Sequence, residues 1–181
     1  MASKLIDLNP YAKNYGLTDD KIALTEVTPP IDINRQGLIM HGSQVDPHMI
    51  LKYGLAPQQT KTNSIDTDWQ ICLGLSSKDP HATLDKQLSR KNSAVKYAGY
   101  FSPNGMIYIL NDEVKNMRGY TEFWDQGSEH RGYAWVTQPI LSNLIDAVIT
   151  TNMALAAAAM LAAQVDKLIY TPDGACYKMK L

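Results

Sequence analysis

Residues 36–55 read QGLIMHGSQVDPHMILKYGL, and the reading of this stretch decides the fold. Residues 36–41 (QGLIMH) form a short apolar run bounded by Gly37 and Gly42, the pattern of a buried strand. Residues 46–53 then place Met49, Ile50 and Tyr53 at helical spacing, and Gly54 stops the helix. A strand ending in His41-Gly42-Ser43 holds three useful groups rigidly: an imidazole, a backbone with no side chain over it, and a hydroxyl.

Working outward from that core, residues 58–68 are polar and read as a loop, and residues 70–75 as a second strand. Residues 77–95 carry little apolar periodicity and read as loop or exposed helix. The clearest strand is 105–110 (GMIYIL), entered through the turn Ser102-Pro103-Asn104-Gly105, and residues 133–136 form another. Residues 141–167 are apolar and Ala-rich and read as a packed helix pair, with Asn152 or Thr151 capping a second helix over 153–167. Thr171-Pro172-Asp173-Gly174 closes a terminal hairpin. Towards the N-terminus, residues 17–26 read as one short helix, and Thr28-Pro29-Pro30 as the hinge into the main domain.

Composition sets the bounds. A chain of 181 residues, 45% hydrophobic and 19% charged, can bury a core as one domain. With a net charge of −1 it has no global basic field, so a protein partner is expected over a nucleic acid. Cys72 and Cys176 match no metal spacing and read as free thiols, and the four histidines share no ligand spacing either. The apolar run 153–163 is well short of the about 20 residues a bilayer span needs. The start, MASKLIDLNPYAKNYG, lacks the apolar run of a secretory signal. The expected location is cytoplasmic, or a target cell reached without a cleavable signal. Nucleotide-binding glycine loops, the zinc-protease helix and the nucleophile elbow are all missing.

The ordered run His41-Gly42-Ser43, helix, Gly54-Leu55 resembles the first motif of the ADP-ribosyltransferase superfamily, in its His-Tyr-Glu branch of diphtheria toxin and the poly(ADP-ribose) polymerases. Further segments follow in the family's order. Asp66-Thr67-Asp68-Trp69 with Leu75-Ser76-Ser77 is similar to the acidic-Trp segment, although Cys72 and Leu73 stand where an aromatic wall is usual. The run 93–100 (SAVKYAGY) resembles the helix that presents a nicotinamide-stacking tyrosine, with Tyr97 first and Tyr100 second. Glu129, ahead of residues 133–136 and Pro139-Ile140-Leu141-Ser142, resembles the closing catalytic motif, with Glu122 as runner-up.

The resemblance implies an α/β (α+β) fold: a split pair of antiparallel sheets forming an NAD cleft, with flanking helices. It covers residues 36–145, leaving 1–35 as an N-terminal segment and 146–181 as a helix and hairpin extension packed on the same domain. It implies that NAD is substrate. His41, Gly42 and Ser43 would hold it, Tyr97 or Tyr100 would stack on nicotinamide, and Glu129 would stabilise the oxocarbenium-like cation left on the ribose. The expected activity is a toxin-like mono-ADP-ribosyltransferase acting on a macromolecule. Gly127, two residues before Glu129, lacks the carboxylate of arginine-modifying relatives. Tyr120, Phe123, Trp124 and Gln126, in the loop ahead of it, are the candidates for acceptor recognition. An NAD glycohydrolase, an inactive NAD-, ADP-ribose- or protein-binding module, and an assembly protein are the alternatives.

Overall fold

Residues 21–25 of the stretch 21–27 (KIALTEV) alternate, with Ile22 and Leu24 buried between the less covered Lys21, Ala23 and Thr25. That period of two, helped by β-branched Ile22, Thr25 and Val27, makes a strand where the sequence reading expected a helix over 17–26. The computed structural model describes residues 2–59, 69–76, 94, 98–99, 103–124 and 132–180. In chain order these supply β1 (Ser3–Asp7), α1 (Tyr11–Asn14), β2 (Lys21–Val27), β3 (Ile39–Ser43), α2 (Pro47–Tyr53) and β4 (Gln58–Gln59). There follow β5 (Trp69–Leu75), β6 (Met106–Leu110), β7 (Thr121–Trp124), β8 (Gly132–Val136), β9 (Ile145–Ile149), α3 (Met153–Ala163), β10 (Leu168–Tyr170) and β11 (Cys176–Met179).

The fold is α+β, built on one mostly antiparallel sheet. Its strands run in the order β1-β2-β11-β10-β9-β6-β3-β5-β8-β7, with β4 paired to β5 beside that path. Among the described strands only β9 and β10 are parallel, joined by a crossover through α3. The N- and C-terminal segments thus extend the sheet that contains β3. The two sheets implied by the resemblance are here one hydrogen-bonded network, forked at one place described below.

Residues 141–167 hold one α-helix, not two. Ile145–Ile149 is a central strand whose Ile145, Ala147, Val148 and Ile149 are all buried. A strand covered on both faces reads as an unbroken apolar run, which periodicity does not separate from a buried helix. The helix α3 begins as expected, with the side chain of Asn152 accepting from the Leu155 amide at 3.1 Å. It ends at Ala163, short of 167, because Gln164 turns left-handed at φ 57° and Val165 donates back to the Met160 carbonyl. Leu155 to Met160 are buried all round, since α3 lies on the sheet and against α1 and α2. No helix among the described residues is long and apolar enough to cross a membrane.

The core divides between the two sheet faces. One face carries Ile39, Leu73, Leu75, Ala134 and Tyr108 under α2 and α3. The opposite face carries Leu38, Met40, Ile107 and Ile109 with Ala94 and Ala98 packed on them. Both cysteines are free, as the sequence reading expected.

Candidate functional site

The site starts from an interrupted ladder. In an antiparallel pair, alternate residues direct their N–H and C=O to the same neighbour. Leu38 directs its groups towards the β5 side, donating to the Ser76 hydroxyl at 2.7 Å and accepting from the Ser76 amide at 3.0 Å. Met40, two residues on, pairs with Gly74, and there the β3–β5 register ends. Gly42 comes next in the same phase, and Cys72 would be its partner. Instead, Nδ1 of His41 takes the Cys72 carbonyl at 2.9 Å. The sheet forks at this point, and the N–H and C=O of Gly42 face the opening.

The fork is a cleft of about 500 Å³, within the range of small-molecule sites. Its floor is His41, Gly42 and Ser43 with Gln70, Ile71 and Cys72, and its wall is formed by α2 and the segment after it. None of the described lining residues is a lysine, arginine or carboxylate. Because a carbonyl only accepts, Nδ1 of His41 carries the proton, and the neutral ring keeps a lone pair on Nε2. Burial pushes the imidazole below its ordinary value, with the Cys72 carbonyl pulling it partly back. His41 is therefore neutral near pH 7, and Nε2 is an acceptor. The hydroxyl of Ser43 accepts from the Val45 amide at 3.1 Å, which shapes the turn into α2 and leaves its own proton to donate.

Two glycines are required by contact. A Cβ on Gly42 would lie 1.6 Å from the Ala94 carbonyl oxygen, so the backbone at Ala94 passes directly over this residue on the face away from α2. Gly54 ends α2 at φ 83°, and a Cβ there would lie 2.0 Å from the Ile140 carbonyl oxygen. Leu55 and Ile140 exchange backbone hydrogen bonds of 2.8 and 2.9 Å. Two segments singled out in the sequence, Gly54-Leu55 and Pro139-Ile140, thus clamp each other and fix the C-terminal end of α2. At its other end, Asp46 caps the helix by accepting from the His48 amide at 3.0 Å.

The remaining sequence candidates lie elsewhere or outside the described residues. Tyr97, Tyr100, Gln126 and Glu129 are outside them, so the expected pairing of His41 with Glu129 has no geometry here. Glu122, on β7, lies opposite Ala134 and accepts from the Tyr120 hydroxyl at 2.8 Å and from the Trp124 indole N–H. Trp124 is half-buried, with its ring over Gly132, where a Cβ would come within 2.6 Å of it. Tyr120 is half-buried as well, leaving Phe123, 56% exposed, as the open aromatic of the three. Leu73, which stands where the resemblance implies an aromatic wall, is buried in the core.

Sequence reading passed over the wall of the cleft. Met49 and Tyr53, four residues apart, share one stripe of α2, and Val45, just before its Asp46 cap, lines the same cleft, while Pro47, Ile50 and Leu51 are buried. The signal was present: Ile50 and Leu51 already satisfy the core, and the three further apolar residues have no core to fill. Gln58 and Gln70, which bring side-chain amides to the rim, left no comparable trace. Comparisons with protein-family models, with curated proteins and with solved structures gave no match to this chain.

Proposed function

We propose that the fork between β3 and β5 binds NAD, and that the chain transfers its ADP-ribose to a macromolecular acceptor with release of nicotinamide. The observation that carries this reading is the displaced ladder bond: His41 occupies the Cys72 carbonyl, which frees the edge of Gly42 towards the cleft. A free N–H and C=O side by side match the two ends of a primary carboxamide, the group nicotinamide presents. The Ser43 hydroxyl lines the same cleft and adds a donor to that amide, and the Nε2 lone pair of His41 accepts from a ribose hydroxyl. In the reaction the bond between nicotinamide N1 and ribose C1′ breaks, its electron pair leaving with neutral nicotinamide. An acceptor heteroatom then bonds C1′ and loses its proton. The cationic intermediate needs a fixed carboxylate, a role assigned to Glu129 on the family resemblance.

One observation favours the alternative that NAD is bound without turnover: Leu73 is buried in the core, so β5 contributes no aromatic wall to hold the nicotinamide ring at that position. The deciding experiment is nicotinamide release from NAD by the purified chain, with and without cell lysate. Release that depends on lysate supports transfer. Release without it identifies a glycohydrolase, and binding with no release identifies the inactive module.

A further inference from the structure

A second cavity, of about 480 Å³, lies where α1, the start of α2 and α3 meet. Both α1 and α3 fall outside the residues that the family resemblance covers, so the NAD reading gives this cavity no role. Among its described lining residues there is no lysine, no arginine and no carboxylate besides Asp46. Asp46 Oδ1 accepts from the Tyr15 hydroxyl at 2.5 Å and from the His48 amide at 3.0 Å. No ion pair or further hydrogen bond engages this carboxylate among the described residues, which leaves Oδ2 open. Tyr15 has given its one proton to Asp46, and burial together with that carboxylate holds the hydroxyl well above its ordinary value, so its oxygen is left to accept. The rings of Tyr15 and His48, both half-buried, stand 5.5 Å apart and tilted by 43°, forming an aromatic corner beside Asp46. The Tyr108 hydroxyl is fully buried with no hydrogen-bond partner among the described residues, and Tyr15 and Asp46 both act on it electrostatically.

These groups call for a ligand that donates and carries positive charge. An anion would meet the Asp46 carboxylate with no lysine or arginine to hold it, and no three metal-ligating side chains gather among the described residues. A primary ammonium has three donors and no acceptor, which matches Asp46 Oδ2 and the Tyr15 oxygen. The aromatic corner favours the same charge, and Pro47, Leu155 and Ala162 give the cavity an apolar side for a methylene stem. The helix dipole opposes this only weakly, since about half a positive charge at the start of α2 faces the full negative charge of Asp46. We propose that this cavity binds an alkylammonium group, carried by a free amine or by a lysine side chain. Asp46 and Tyr15 take its N–H groups, and the apolar side takes its stem. The site stands independently of the NAD reading.

The test is an amide chemical-shift titration of the whole chain with n-butylammonium, with butan-1-ol, butyrate and glucose as controls. Butylammonium should bind with a millimolar Kd and shift the amides of His48 and Leu155. Butan-1-ol, butyrate and glucose should bind about tenfold more weakly or not at all, because none carries the charge. Asp46→Asn and Asp46→Ser each keep a residue that caps α2 while removing the carboxylate, so the circular dichroism spectrum should be retained. Both should weaken butylammonium by about tenfold or more. Nα-acetyl-lysine N-methylamide separates the two sources. Affinity equal to or above that of butylammonium assigns the cavity to a lysine side chain, and lower affinity assigns it to a free amine. The inference is overturned if butylammonium does not bind, if butan-1-ol or glucose binds as tightly, or if the shifts fall on Gly42 and Ser43 instead. Full affinity in either folded Asp46 variant overturns it as well.

Discussion

Nδ1 of His41 and the carbonyl oxygen of Cys72 lie 2.9 Å apart, in the place that the Gly42 amide would take if the β3–β5 ladder ran one pair further. A side chain thus ends the pairing of its own strand and at the same time satisfies the carbonyl it exposes. An unpaired, partly covered carbonyl would cost about 1–3 kcal/mol, so the bond stabilises the open fork.

His41→Ala removes both the cap on the Cys72 carbonyl and the Nε2 acceptor. The expected result is NAD affinity weakened about fivefold to tenfold, the scale of one hydrogen bond, with the circular dichroism spectrum retained. Titration calorimetry on the purified variant checks it, and undiminished affinity would remove His41 from the binding site.

Acid should weaken NAD binding. Protonating Nε2 converts the acceptor into a donor, and burial places the His41 pKa below the ordinary value of about 6.5. Affinity is therefore flat from pH 8 to 7 and falls only beneath that value, by up to tenfold per unit once the ring is mostly charged. Affinities measured between pH 5 and pH 8 test the sign; tighter binding in acid contradicts the assigned tautomer.

Gly54→Ala forces a left-handed φ on a residue with a Cβ and drives that Cβ into the Ile140 carbonyl. A loss of about 2 kcal/mol or more is expected, which for a domain of this size lowers the melting temperature by about 4–8 °C. Differential scanning calorimetry gives the answer directly.

Glu129→Gln should lower nicotinamide release by about 100-fold or more while keeping most NAD affinity, since the carboxylate acts chiefly on the transition state. Glu122→Gln should leave the rate near wild type, because that carboxylate is engaged with Tyr120 and Trp124. The opposite ranking of the two single-turnover rates would transfer the role to Glu122.

Acceptor choice separates Phe123 from Trp124. The open ring of Phe123 can meet a macromolecule, so Phe123→Ala should impair transfer and spare slow NAD hydrolysis. Trp124 packs over Gly132, so Trp124→Ala should lower the melting temperature and reduce both activities together. Assaying the two reactions in parallel distinguishes these roles, and a Phe123→Ala protein with full transfer would place acceptor recognition elsewhere.

Local chemistry alone determined the strand into His41-Gly42-Ser43, the helix with its Asp46 cap, its stop at Gly54, and the start of α3 at Asn152. Each of these depends on residues within one turn or one pleat of each other, so the chain carries its own instruction. Tertiary structure decided the rest. Residues 145–149 became a strand because β6 and β10 flank them, and an apolar run takes whichever element its neighbours complete. Whether Trp124 faced solvent or core depended on Gly132, eight residues away in sequence and opposite it across β7 and β8. The fork itself was invisible in sequence, since nothing in the order of residues says that a ladder stops at Met40 and Gly74. It exists because an imidazole on one strand reaches the carbonyl of another 31 residues later, a contact that only folding brings within 2.9 Å.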